Sequence, residues 1–121
     1  MSIGSIYILQ VGTDGPIKIG FTKSDVKCRI RAIQVGSPHI LRWIGVYAGT
    51  RADELNAHRL LRNSSLRGEW FYPTQEVLAF VRQQAPGFEP LIVENILFKP
   101  HNTGPGRGRR MICVARPERA A

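Results

Sequence analysis

The sequence predicts an α+β domain, and three observations carry that expectation. Residues 6–11, 17–21 and 39–48 are short runs rich in β-branched and aromatic side chains, the composition of strands. Residues 22–36, 50–61 and 74–85 space their apolar residues at helical intervals. Cap and breaker residues stand at the boundaries, so the order reads hairpin, helix, strand, helix, helix. The chain of 121 residues, 43% apolar and 21% charged, is long enough for one globular domain with a core of its own. Residues 1–98 are expected to form that domain, and residues 99–121 a basic, partly mobile tail.

The first two runs, Ile6–Val11 and Ile17–Phe21, are joined by Gly12-Thr13-Asp14-Gly15-Pro16. Pro16 cannot donate a ladder hydrogen bond, which favours a wide Gly12–Gly15 loop over a tight turn at Asp14-Gly15. Alternation along an unbulged hairpin puts Tyr7, Leu9 and Val11 on the face that carries Lys18, Gly20 and Thr22. With the wide loop Tyr7 and Lys18 become diagonal neighbours, a phenol and an ammonium beside a glycine that admits close approach. The plainer reading is a solvated face bearing one Tyr and one Lys.

In the next element Ser24 is the expected N-cap, with Asp25 in the first turn and Gly36-Ser37-Pro38 as the stop. Val26, Ile30 and Ile33 form an apolar stripe on which Arg29 also falls, while Lys27, Arg31 and Gln34 face elsewhere. An arginine on that side needs a carboxylate, a route to solvent, or a phosphate. His39–Ala48 reads as a well-buried strand, and Thr50 with Asp53 as a capping box opening the second helix. Ala57, Leu60 and Leu61 make its inward face, with Glu54 on the edge and His58 one turn later. That pair can bind a metal, act on a phosphate, or simply bond to each other. Asn63–Gly68 is a polar, basic loop, and Glu69-Trp70-Phe71-Tyr72 an aromatic cluster closing the core. Val77, Leu78 and Val81 stripe a third helix that ends by Pro86-Gly87. Residues 91–98 have no decisive period, and 111–115 could add an edge strand.

The formal net charge of +8 points toward a polyanion. Residues 1–98 carry 11 Lys and Arg against 8 Asp and Glu, whereas residues 99–121 carry 6 against 1. The tail thus solubilises or binds phosphate; Arg107, Arg109 and Arg110 lie among glycines. No apolar run is long enough to span a bilayer and no signal-peptide pattern opens the chain. Cys28 and Cys113 have neither disulfide-framework nor zinc-ligand spacing, which fits a reducing cytoplasm.

In order, Ser5-Ile6-Tyr7, Lys18-Ile19-Gly20, Arg29 in the following helix and Glu54 in the next resemble the motifs of the GIY-YIG nuclease superfamily. Lys18-Ile19-Gly20-Phe21-Thr22, Gln34-Val35-Gly36-Ser37-Pro38, Glu54 with His58, and Arg67-Gly68-Glu69-Trp70-Phe71 resemble a compact phage and microbial branch with a KIG second motif. The likeness covers residues 3–81 and departs at Ser5, where the family has glycine, and at Lys18, where it has a catalytic tyrosine.

The resemblance implies a small three-stranded antiparallel sheet, first strand in the middle, flanked by helices. It implies divalent-metal-dependent phosphodiester hydrolysis of nucleic acid, with a DNA endonuclease as the expected activity. Glu54 would hold Mg²⁺ or Mn²⁺, Arg29 the phosphate, and Tyr7, assisted by Lys18, the attacking water. His58 would touch the scissile phosphate or leaving group, and Lys27, Arg31 and the tail arginines the strand. Tyr7, Lys18, Arg29, Glu54 and His58 are then expected on one concave face, with Glu69 tying the Arg67-Gly68 turn to the core. The alternatives are a non-catalytic nucleic-acid-binding module on the same scaffold and a protein-interaction domain.

Overall fold

Ile6, Tyr7, Ile8 and Leu9 are all fully buried, so both faces of the strand that carries them are covered. That strand, β1 (Gly4–Val11), is central in the sheet of the computed structural model, which describes residues 2–96. The tail, its arginines 107, 109 and 110, and the candidate strand at 111–115 lie outside the described residues. Antiparallel neighbours are β2 (Ile17–Thr22) on one side and β3 (Leu41–Gly49) on the other. Three short strands extend these three: β4 (Ser65–Arg67), β5 (Trp70–Phe71) and β6 (Leu91–Ile92). The order is β4-β5-β2-β1-β3-β6, six strands among the described residues where three were expected. The additions are two or three residues long, too short for a period to register.

The wide hairpin loop is present, closed by Val11 N–H to Pro16 O at 3.0 Å. Tyr7 stands opposite Gly20 and Leu9 opposite Lys18, so Tyr7 and Lys18 are diagonal neighbours. Ile6 and Ile8 join Ile17 and Ile19 on the other face. A register shift at Ile8/Leu9 against β3 leaves Ile44 without a partner in the ladder.

The helices divide between the faces. Helix α1 (Val26–Val35) packs Ile30, with half-buried Val26 and Ile33, over Tyr7, Leu9 and Trp43. Its N-cap is Asp25, not Ser24: the Asp25 carboxylate accepts from Lys27 N–H at 2.9 Å, while Ser24 N–H is drawn to Thr22 Oγ1 at 3.1 Å. Gln34 is buried rather than outward, because its amide joins the helix exit to β3, donating to His39 O at 2.9 Å and accepting from Leu41 N–H at 2.8 Å. Cys28 is half-buried on α1, and Cys113 lies outside the described residues.

Helices α2 (Arg51–Leu60) and α3 (Gln75–Gln84) cover the opposite face through Ala57, Leu61, Val77, Phe80 and Val81. The Thr50–Asp53 capping box is complete. Leu60, expected inward, is 64% exposed, and Glu54, expected at the margin, is only 1% exposed. Asn63–Gly68 is not an open loop: residues 62–64 make a 3₁₀ turn leading into β4. In the aromatic cluster Phe71 is buried, but Tyr72 is 51% exposed. Among the described residues no helix is long and apolar enough to cross a membrane.

Gln34→Ala removes two bonds from a buried junction and leaves the Leu41 N–H unsatisfied, while the His39 carbonyl keeps the Ser37 hydroxyl. Urea denaturation should show a loss of about 1–3 kcal/mol.

Candidate functional site

The sheet opens along β2. Strand β5 pairs Ile17 and Lys18; past them Ile19 is held by other means. Its N–H donates to Glu69 O at 3.0 Å, and its carbonyl meets His58 Nε2 at 2.9 Å. A carbonyl only accepts, so His58 carries its proton on Nε2. Gly20 follows, with the Tyr7 ring and hydroxyl lying across it, and any Cβ there would overlap both. Four of the expected site side chains meet at these two residues of one strand, directly or through one neighbour.

Tyr7 is buried, and its hydroxyl accepts from Arg29 Nε at 3.4 Å. That bond, and the attraction that goes with it, hold the guanidinium's pKa above its ordinary value. Arg29 is exposed as a residue, so it reaches the phenol from the rim of α1 and not from the core. Lys18 has a partner other than Tyr7. Its ammonium forms an ion pair with Glu69 Oε1 at 2.9 Å and lies 5.4 Å from the centre of the Trp70 ring. Diagonal placement brings the two side chains alongside, but the carboxylate one strand over is the stronger partner for the ammonium.

Glu54 is the unusual group. Its Oε2 is 3.6 Å from His58 Nε2, whose proton is already directed at Ile19. Arg51 Nε is 3.2 Å from Oε1, yet its N–H is not aligned for a hydrogen bond, and Oε1 has no hydrogen-bond partner. Burial raises the Glu54 carboxyl pKa above its ordinary value, and the facing Glu69 carboxyl raises it further; His58 and Arg51 oppose the shift. A carboxylate sequestered with an oxygen unsatisfied is costly to the fold. Its unsatisfied oxygen is the kind of ligand atom that a hard divalent cation takes. Among the described residues no three His, Cys, Asp or Glu side chains group as a multi-ligand metal site.

The five expected residues therefore do not share one concave face. Tyr7 and Lys18 belong to the α1 side of the sheet and Glu54 and His58 to α2 on the other; they meet around the β2 edge. Arg29 and Tyr7 touch, Glu54 and His58 touch, and Lys18 is tied to Glu69. Glu69 ties the end of the Arg67-Gly68 turn to the sheet, as expected, through its carbonyl on the Ile19 N–H and its carboxylate on Lys18, and that carboxylate also faces Glu54. The available signal was its position directly before the two strand-forming aromatics that pair with Ile17 and Lys18. Lys27 is exposed on α1, and Arg31 is half-buried with a partner of its own.

A folded-state pKa above the unfolded value means that the folded chain holds the Glu54 proton more tightly. Its stability is then greatest below about 4.5 and falls as pH rises from there through the raised value. Glu54→Gln removes that fall and strands no buried cation, since Arg51 is solvent-exposed and His58 keeps its bond to Ile19. Melting curves should converge in mild acid and separate toward neutral pH, with the variant the more stable. A variant that melts lower at neutral pH would show instead that the Glu54 charge anchors its neighbours.

Comparison of the chain with protein-family models, with curated proteins and with solved structures found no match in any of the three.

Proposed function

We propose that the β2 edge is the active site of a divalent-metal-dependent nuclease that hydrolyses a phosphodiester bond, with DNA as its substrate. The observation that carries this reading is Glu54: a fully buried carboxylate with one oxygen lacking a hydrogen-bond partner, beside a histidine whose proton is engaged elsewhere. The sequence resemblance to the GIY-YIG superfamily supports it at the same positions, and the basic composition supports a polyanionic partner.

Glu54 would hold Mg²⁺ or Mn²⁺, which when bound supplies positive charge against the phosphate and acidifies a coordinated water. Arg29 spends its Nε on Tyr7 and keeps both terminal nitrogens for a bidentate grip on the phosphate. Tyr7, its oxygen polarised by Arg29 and not by Lys18, orients the attacking water through its remaining hydrogen-bonding capacity. Attack forms a new P–O bond as the bond to the leaving sugar oxygen breaks; the water's proton passes to solvent, and solvent returns a proton to the leaving oxygen. His58 acts as a positioning residue, fixing α2 and hence Glu54 against Ile19. Lys18, its charge balanced by Glu69, forms part of the rim.

A second reading has its own observation. Lys18 stands where the superfamily has tyrosine and is locked to Glu69, which suits a scaffold that binds nucleic acid without cutting it.

Nicking of supercoiled plasmid separates the two. Mg²⁺-dependent nicking, abolished by chelator and by Glu54→Gln, is expected, with Tyr7→Phe and Arg29→Ala slower by roughly a hundredfold or more. Cleavage that survives Glu54→Gln would refute the metal-ligand role. Salt-sensitive binding with no nicking by the wild type would establish the second reading.

A further inference from the structure

Away from the β2 edge, on the other flank of α2, a cleft of about 890 Å³ opens between α2, α3 and the end of β3. Its floor is aromatic and aliphatic. Tyr47 and Phe80 pack edge to face with centroids 6.4 Å apart, and Leu60, the residue expected in the core, presents its side chain here at 64% exposure. The rim is basic, with Arg59 near the end of α2 and Arg62 in the turn beyond it. Asp53 is the acid among the lining residues, and its carboxylate is taken by the Thr50 N–H at 2.8 Å and hydroxyl at 3.2 Å. The cleft thus offers two guanidinium groups against one carboxylate, which is held at the start of α2 by Thr50, so the balance of the rim is positive. Burial, assisted by Asp53, pushes the Tyr47 hydroxyl up to about 12, so it remains a proton donor at the floor.

An acidic peptide would satisfy the arginines and leave the aromatic floor unused, whereas a neutral apolar ligand would do the reverse. The chain's own residues 99–121, with 6 basic side chains against 1 acidic, carry the same sign as the rim. What matches both parts is an anion joined to a flat apolar body. We propose that this cleft binds an unpaired nucleotide of a nucleic-acid strand, its base against Tyr47 and Leu60 and its phosphates on Arg59 and Arg62. Asn56, whose Oδ1 accepts from Arg59 at 3.5 Å, and Asn63 also line the cleft and supply amide groups for the base edge. The site is separate from the β2 edge and does not depend on whether that edge cleaves.

Fluorescence anisotropy with the full chain tests it, using oligodeoxyuridylate and oligouridylate of about 12 nucleotides and a duplex of equal length. Arg59→Ala combined with Arg62→Ala should weaken single-strand binding roughly tenfold and lower the salt slope by about 1.4, the value for two phosphates. Leu60→Ser, at an exposed position, should weaken single-strand binding roughly threefold to tenfold with the slope unchanged. Duplex binding should lose less in both variants, and the tighter of the two single strands identifies the preferred sugar. The proposal is overturned if wild type binds neither single strand, if duplex and single strand lose equally, or if Leu60→Ser has no effect.

Discussion

Tyr7 lies across Gly20, and this one contact constrains most of what surrounds it. The ring fills the space that a side chain at position 20 would take, so the central strand and its hairpin partner approach without a spacer. With the ring held there, the hydroxyl emerges at the β2 edge, where Arg29 caps it from α1. The same strand segment supplies Ile19, whose two backbone groups receive Glu69 from one direction and His58 from the other. Side chains from both faces of the sheet thus reach one place because a strand edge, not a face, is the meeting point.

The sequence made the larger elements legible and left the edges obscure. The hairpin, its wide loop, the Tyr7–Gly20 face and the Thr50–Asp53 capping box all rest on local rules: alternation, a proline that cannot donate, a hydroxyl three residues before a carboxylate. Burial was less legible, because it is set by what packs opposite. Periodicity put Leu60 inside and Gln34 outside; the gap between α2 and α3 leaves the first exposed, and the turn to β3 draws the second in. The same limit applies to the site. Tyr7 and Lys18 were correctly diagonal, but the choice between a phenol and a carboxylate as partner for the ammonium was decided by β5, a two-residue strand invisible to any period.

The charges around β2 form a graded series. Exposed Arg29 faces a neutral phenol, half-buried Lys18 faces a half-exposed carboxylate, and Glu54, the most deeply sequestered, has the least complete set of partners. Solvent can compensate the first two and cannot reach the third. A buried carboxylate with charged neighbours but one oxygen lacking a hydrogen bond marks where the fold has accepted a local cost, which is commonly the mark of a functional position.

Ile19 has a further mechanical consequence. One peptide unit ties the segment before β5 to the hairpin, while its carbonyl ties α2 to the same strand. These attachments converge on the residue beside Gly20, next to the β5 pairing at Ile17 and Lys18, so a displacement of either outer element bears on the strand position that Tyr7 packs against.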